Sequence, residues 1–222
     1  MSLINTGLIL VAGLNIGMAI LILLRNPKNK INIYFSLTVF FLGLWSLGSG
    51  LFRETTSESL AFFWSRFENL TGFLVAVLFF FFAIYFPYES FKLKLRYLLL
   101  VFLAVISVFI IASQSFYIYQ VTLQPHINNY TTHAFGRYYY SVFFVIFTLL
   151  GFYLLIKKYR ESKGIIKRNL SIILWATGIM GFFGTVLGIV VTAVTARDNV
   201  WFVPYFSIPM VIILVWFIFR KE

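Results

Sequence analysis

Side chains able to do chemistry inside a greasy sequence are few enough to weigh one by one. Charged residues make up only 11% of the 222 positions. Arg66 and Glu68 stand out because an otherwise apolar, aromatic stretch surrounds them. Charge within a lipid-spanning helix is costly, and where it persists it generally faces the bundle interior or a wet cavity. Two residues apart on a helix, the pair cannot face each other, so each calls for a different partner. Two readings stay open. Either an outward-facing polar pocket uses both, or both sit at the water interface with Arg66 snorkelling outward. Trp45, Trp64, Asn69 and Tyr205 reach similar depth and either line such a pocket or simply pack. The candidate ligand-binding set is therefore Trp45, Trp64, Arg66, Glu68, Asn69 and Tyr205.

Catalytic arrangements fare worse. Gly48-Ser49-Gly50 resembles a fragment of a serine-protease motif, but the base such a nucleophile needs is missing from the apolar runs. His126 and His133, the only histidines, share one polar loop. There is no H-E-x-x-H and no aspartate pair, since Asp198 is the single aspartate. Metal-assisted and carboxylate-dyad hydrolysis are thus not expected. No phosphate-cradling glycine loop is present. No lysine lies between Trp201 and Phe219, so no retinal Schiff base can form there. With no cysteine, disulfides, thiolate metal sites and thiol nucleophiles are excluded. The expectation is no enzyme, no catalytic residue, no metal site and no cofactor.

The elements that must carry these residues are written in the hydropathy. Apolar residues make up 61% of the chain and aromatic ones 21%, with 28 phenylalanines. That is far beyond what a water-soluble domain carries. Seven stretches are long and apolar enough to cross a bilayer: 4–24, 31–52, 61–86, 96–115, 137–156, 169–195 and 201–219. They are apolar on all sides, unlike barrel strands, so helices are the expected way to pair every backbone group in lipid. The first lacks a basic residue before it and reads as a retained helix rather than a cleaved signal. The expected fold is an all-α membrane protein, a single seven-helix transmembrane domain over residues 1–222.

Charge placement orients that bundle. The net charge is +11. In a soluble protein this would suggest nucleic acid; here the cations cluster between apolar runs, and nucleic acid is discounted. All but four of the 18 Lys and Arg residues fall in alternate connections: Arg25, Lys28 and Lys30; Lys92, Lys94 and Arg96; Lys157, Lys158, Arg160, Lys163, Lys167 and Arg168; Arg220 and Lys221. The opposite connections hold only Arg53, Arg66, Arg137 and Arg197. Cytoplasmic loops carry the cations, which predicts an outside N-terminus, a cytoplasmic C-terminus and a multi-pass plasma-membrane location.

Local signals fit this frame. Thr55 and Glu58 form a T-x-x-E capping box before helix three, and Pro87 closes that helix. Pro125, His126, Asn128 and Asn129 mark an irregular outer loop. Trp201 and Tyr138, Tyr139 and Tyr140 suit the aromatic belt at outer helix ends. Gly178, Gly181, Gly184 and Gly188 share one face of helix six, and Gly13 and Gly17 lie one turn apart on helix one; both patterns suit close helix packing. Pro204 and Pro209 predict a kink in helix seven.

One stretch is more specific. Asn29, Asn32 and Phe35 lead into helix two, Leu44-Trp45-Ser46-Leu47-Gly48 closes its outer half, and Trp64 and Arg66 open a helix ending in Phe86-Pro87. This series resembles the N-terminal seven-helix sensor region of bacterial and archaeal histidine kinases, most clearly over residues 25–90. The resemblance implies a module that detects a signal at or within the membrane and passes it to cytoplasmic kinase domains. No phosphoacceptor-histidine segment or ATP-binding domain is present after Phe219 in this sequence, so kinase activity is not expected to carry over; the sequence reads either as an isolated sensor module or as a piece excised from a longer chain. The expected partners are the lipid bilayer and a separate cytoplasmic kinase or signalling protein, with a homodimer as one arrangement. The rival readings are a small transporter or channel and a structural membrane subunit.

Overall fold

The computed structural model describes residues 2–87, 95–113, 117–184, 186 and 200–219. Helices α1 (Leu3–Arg25), α2 (Lys30–Glu54), α3 (Glu58–Tyr85), α4 (Leu95–Ala112) and α5 (Ala134–Glu161) are each long and apolar enough to cross a membrane. After them come α6 (Gly164–Phe183), a 3-10 segment (Val200–Phe206) and α7 (Ser207–Phe219). Between α4 and α5 lies an antiparallel ribbon of β1 (Ile118–Thr122) and β2 (Asn129–Thr132).

The L-W-S-L-G stretch explains how α1, α2 and α3 are held. Ser46 is fully buried and donates to the Leu8 carbonyl of α1 at 2.7 Å; Ser36 does the same to Ala19 at 2.6 Å. A hydroxyl bonded to a neighbouring helix's carbonyl draws two backbones together where lipid offers no hydrophobic drive. Glycines supply the room. A Cβ at Gly43 would lie 2.7 Å from Ile16 and 3.0 Å from the Ala12 carbonyl, and one at Gly48 would lie 2.9 Å from Phe67. Asn29 caps α2 by accepting from the Asn32 amide at 3.1 Å, which gives the N-x-x-N series its physical meaning.

Phenylalanine fills the core on both sides of α3. Phe35, Phe79 and Phe82 lie on its α2 and α6 side, and Phe73, Phe80 and Phe147 on its α4 and α5 side. At the end opposite the ribbon, Lys158 donates to the carbonyls of Ala83 and Ile84, each at 2.7 Å, and to that of Phe86. It thereby satisfies the carbonyls that the last turn of α3 leaves without intrahelical partners.

Several expectations change. The loop with Pro125, His126, Asn128 and Asn129 is an ordered ribbon, not an irregular connection. A bulge between Ile118 and Gln120 turns Ile118 and Val121 both inward, masking the strict alternation that marks a strand. The T-x-x-E capping box is not formed. Ser57 occupies the cap of α3, and Thr55 ends α2 instead. Helices five and six extend beyond 137–156 and 169, leaving only Ser162 and Lys163 between them. Lys and Arg are good helix formers, so the hydrocarbon limit is not the helix limit. Gly164, at φ +57°, makes that tight turn. Pro204 sits in the 3-10 segment and Pro209 in the first turn of α7, where a missing amide costs nothing, so neither kinks an α-helix. Tyr140 is core, against Phe73, Phe144 and Tyr117, rather than belt. A Cβ at Gly13, Gly17 or Gly178 would meet nothing within 4 Å among the described residues, so these three mark no close helix contact there, whereas one at Gly181 would meet Phe152 and one at Gly184 Val203. Gly188, Lys92, Lys94, Arg197, Asp198, Arg220 and Lys221 lie outside the described residues.

Candidate functional site

Two features stand out: a cavity inside the bundle and a polar layer at its ribbon end. The cavity measures about 50 Å³ and lies among α2, α3, α5, α6, the 3-10 segment and α7. Phe35, Thr38, Leu42 and Trp45 come from α2, Val75, Ala76 and Phe79 from α3, Phe144, Thr148 and Phe152 from α5, and Thr177, Met180 and Gly181 from α6. Gly184, Val203 and Met210 complete the wall. Thr38 and Thr177 donate to carbonyls of their own helices, at 2.8 Å and 2.7 Å, so these hydroxyl protons are already engaged. Trp45 is 2% exposed, and its indole N–H has no hydrogen-bond partner among the described residues. Leaving a buried donor unbonded is expensive and uncommon in native structures.

At the ribbon end, the N-terminus of α1, the C-terminus of α2 and the tip of the ribbon converge on Glu54. Its Oε1 accepts from the Ser2 amide at 2.8 Å and from Asn5 Nδ2 at 2.6 Å, and its Oε2 lies 2.9 Å from His126 Nδ1. Asn5 also accepts from Arg53 Nε at 3.1 Å, and the Arg53 guanidinium lies over the Trp201 ring, 4.2 Å from its centre. Asn128 donates to the Phe52 and Thr55 carbonyls, each at 2.7 Å, pinning the ribbon tip to α2. Positive φ at His126 makes the turn that brings its ring to Glu54. These groups form a clasp over the helix ends.

The six sequence-selected residues divide among five places. Trp45 lines the cavity. Glu68 is buried at 2% exposure on the α2 side of α3, its Cβ and Cα in the path of a side chain at Gly48. Asn69 ties α3 to the ribbon, donating to Tyr130 Oη at 2.8 Å and accepting from Tyr117 Oη at 3.1 Å. Arg66 lies in a separate depression with Phe63, Phe67, Leu70 and Ala112, its guanidinium over Phe62. Trp64 packs edge-on against Phe63 and Phe67. Tyr205 donates to the Ile4 carbonyl on α1. Arg66 and Glu68 thus point different ways, as their spacing requires, and neither described hollow that includes one of the six gathers all of them among the described residues.

A family model described as the N-terminal 7TM region of histidine kinase matches residues 7–222. The chain belongs to this family. No curated protein and no solved structure matches it. Within this 7TM region the residues that carried the resemblance are mostly structural: Asn29 caps, Phe35 packs on Phe82, Ser46 clamps α1, and Gly48 admits α3. Of these residues, Phe35 and Trp45 also join the cavity wall. Sequence reasoning missed Asn5, Glu54, His126 and Asn128, which lie far apart in the chain. The signal available was polarity at the ends of apolar runs, which by itself marks only the water interface.

Proposed function

We propose that this 7TM region is a membrane-embedded sensory module with seven spans, its ribbon end outside and its basic end in the cytoplasm. The family match across nearly the whole chain is the observation that carries the sensory reading. The charge asymmetry supports the orientation: Arg25, Lys28, Lys30, Lys157, Lys163 and Lys167 belong to the end opposite the ribbon. The module sits in the plasma membrane and delivers its output to a cytoplasmic kinase or other signalling protein. It is not itself an enzyme.

A sensor needs two arrangements that its signal distinguishes, since a ligand shifts an equilibrium only by its differential affinity. The architecture supports a division of labour. Helices α1 to α3 are clamped to one another by serine and glycine contacts and by the clasp around Glu54. Helices α5 to α7 meet them around the cavity, so a change of occupancy there would move α5, α6 and α7 against a fixed frame. Trp45 is the candidate ligand contact; Glu68, Asn69 and Tyr205 hold the surrounding frame, and Trp64 and Arg66 occupy an outward shelf.

Orientation is tested by cysteine labelling, which the cysteine-free sequence makes direct. In intact cells an impermeant maleimide should label Gln124→Cys at the ribbon and spare Lys163→Cys; the reverse would sink the orientation. For function, residues 1–222 joined to a kinase core should give autophosphorylation that Gly181→Leu, beside the cavity, shifts. Output indifferent to this change, together with specific solute flux in liposomes, would favour a transporter instead.

A further inference from the structure

The cavity wall asks for a particular occupant. Its lining is almost wholly apolar, which favours an apolar ligand. Trp45 belongs to that wall, and its indole N–H is buried and without an acceptor among the described residues. A buried water needs two to four polar partners, and the wall hydroxyls, those of Thr38, Thr148 and Thr177, present almost no polar surface to the space. An acceptor atom carried by an apolar molecule satisfies the indole and fills the space at once.

The way in is also visible. On the outer side of α5 and α6 runs a groove of about 550 Å³, lined by Ile156, Leu174, Trp175, Gly178 and Phe182 among others. Trp175 is 71% exposed and Phe182 63% exposed, as suits a face in contact with lipid. Phe152 belongs to both the groove and the cavity. Its ring lies 5.0 Å from Phe79, centre to centre, and covers Gly181, where a Cβ would come within 2.5 Å of it. Phe152 therefore lies between a lipid-facing groove and the cavity, and a glycine leaves its ring room.

We propose that the cavity is the inner end of a binding site for a small, membrane-dissolved apolar molecule bearing one hydrogen-bond-accepting oxygen, which arrives along the α5–α6 groove and passes Phe152 to reach Trp45. A cavity of about 50 Å³ admits the oxygen-bearing end of such a molecule but not a glycerol ester and headgroup, so a bilayer phospholipid is not the occupant. The sensory reading gives this site its use, but binding can be measured without any signalling output.

The test uses the full chain, nitrogen-15 labelled at tryptophan, in detergent micelles, with methyl hexyl ketone and n-nonane as probes of equal heavy-atom count. The indole resonance missing from Trp45→Phe identifies Trp45. The ketone should move that resonance saturably and bind about fivefold tighter than the alkane, the worth of one net hydrogen bond. Trp45→Phe should bind the two alike, read by thermal shift. Phe152→Ala, which keeps Trp45, should exchange the ketone about tenfold faster if removing the ring lowers the barrier by about 1.4 kcal/mol. An unsaturable shift, equal responses to ketone and alkane, or equal movement of every indole resonance would overturn the site. Unchanged exchange in Phe152→Ala would overturn the route. Failure here with an intact kinase-chimera response would leave the sensory reading standing without this ligand.

Discussion

Lys158 illustrates how one side chain near a membrane boundary can hold two helices. Its ammonium serves three carbonyls at the end of α3. Hydrogen bonds from a charged group are worth about 1.5–3 kcal/mol net. Lys158→Met keeps the apolar stem and removes the donors, so it should destabilise the protein by about that amount, read as a lower midpoint in detergent thermal unfolding. At the other end Asn5 and Glu54 belong to one network, and residues that share partners do not act additively. A double-mutant cycle of Asn5→Ala and Glu54→Ala should give a coupling of about 0.5–3 kcal/mol. A coupling near zero would mean that the clasp is a set of independent contacts.

At the scale of the element, the glycines separate into two kinds that sequence spacing makes alike. Gly43 lies against α1 with no room for a methyl group, and Gly13 and Gly17 face open space. Gly43→Ala should therefore loosen α1 from α2 and cost stability, by about 1–3 kcal/mol where overpacking displaces backbone. Gly13→Ala should be neutral or gain about 0.5–1 kcal/mol from helix propensity. Comparing the two midpoints checks both. The ribbon is the other element with its own test. Asn128, 3% exposed, holds its tip to α2 by two hydrogen bonds. Asn128→Ala should free the tip, making the 123–128 turn a preferred site of limited proteolysis while the helices stay intact.

Across the whole molecule, the clamp between α1, α2 and α3 and the cavity where α5, α6 and α7 meet them point to where motion can be accommodated. Packed interfaces tend to have discrete arrangements rather than continuous ones. Cross-linking α1 to α2 through paired cysteines should then leave the output of a kinase chimera unchanged, whereas cross-linking α5 to α6 should lock it in one state. Equal effects from both would remove the division of labour.

The sequence by itself determined the solvent and the helical class. Apolar runs this long belong in hydrocarbon, and backbone groups there must be paired within helices or closed barrels. It also determined the family, because Asn29, Trp45, Ser46 and Gly48 serve caps and seams that depend on local spacing. Only the tertiary structure decided the site. Glu54 and His126 are 72 residues apart and meet at 2.9 Å, a pairing that periodicity along one helix cannot encode. The ribbon stayed hidden because its bulge breaks the two-residue alternation. Trp45 and Arg66, expected at similar depth, part company because the Trp45 ring lies against Gly72, further along α3 than Arg66, and because facing is set by which neighbours a helix turns towards.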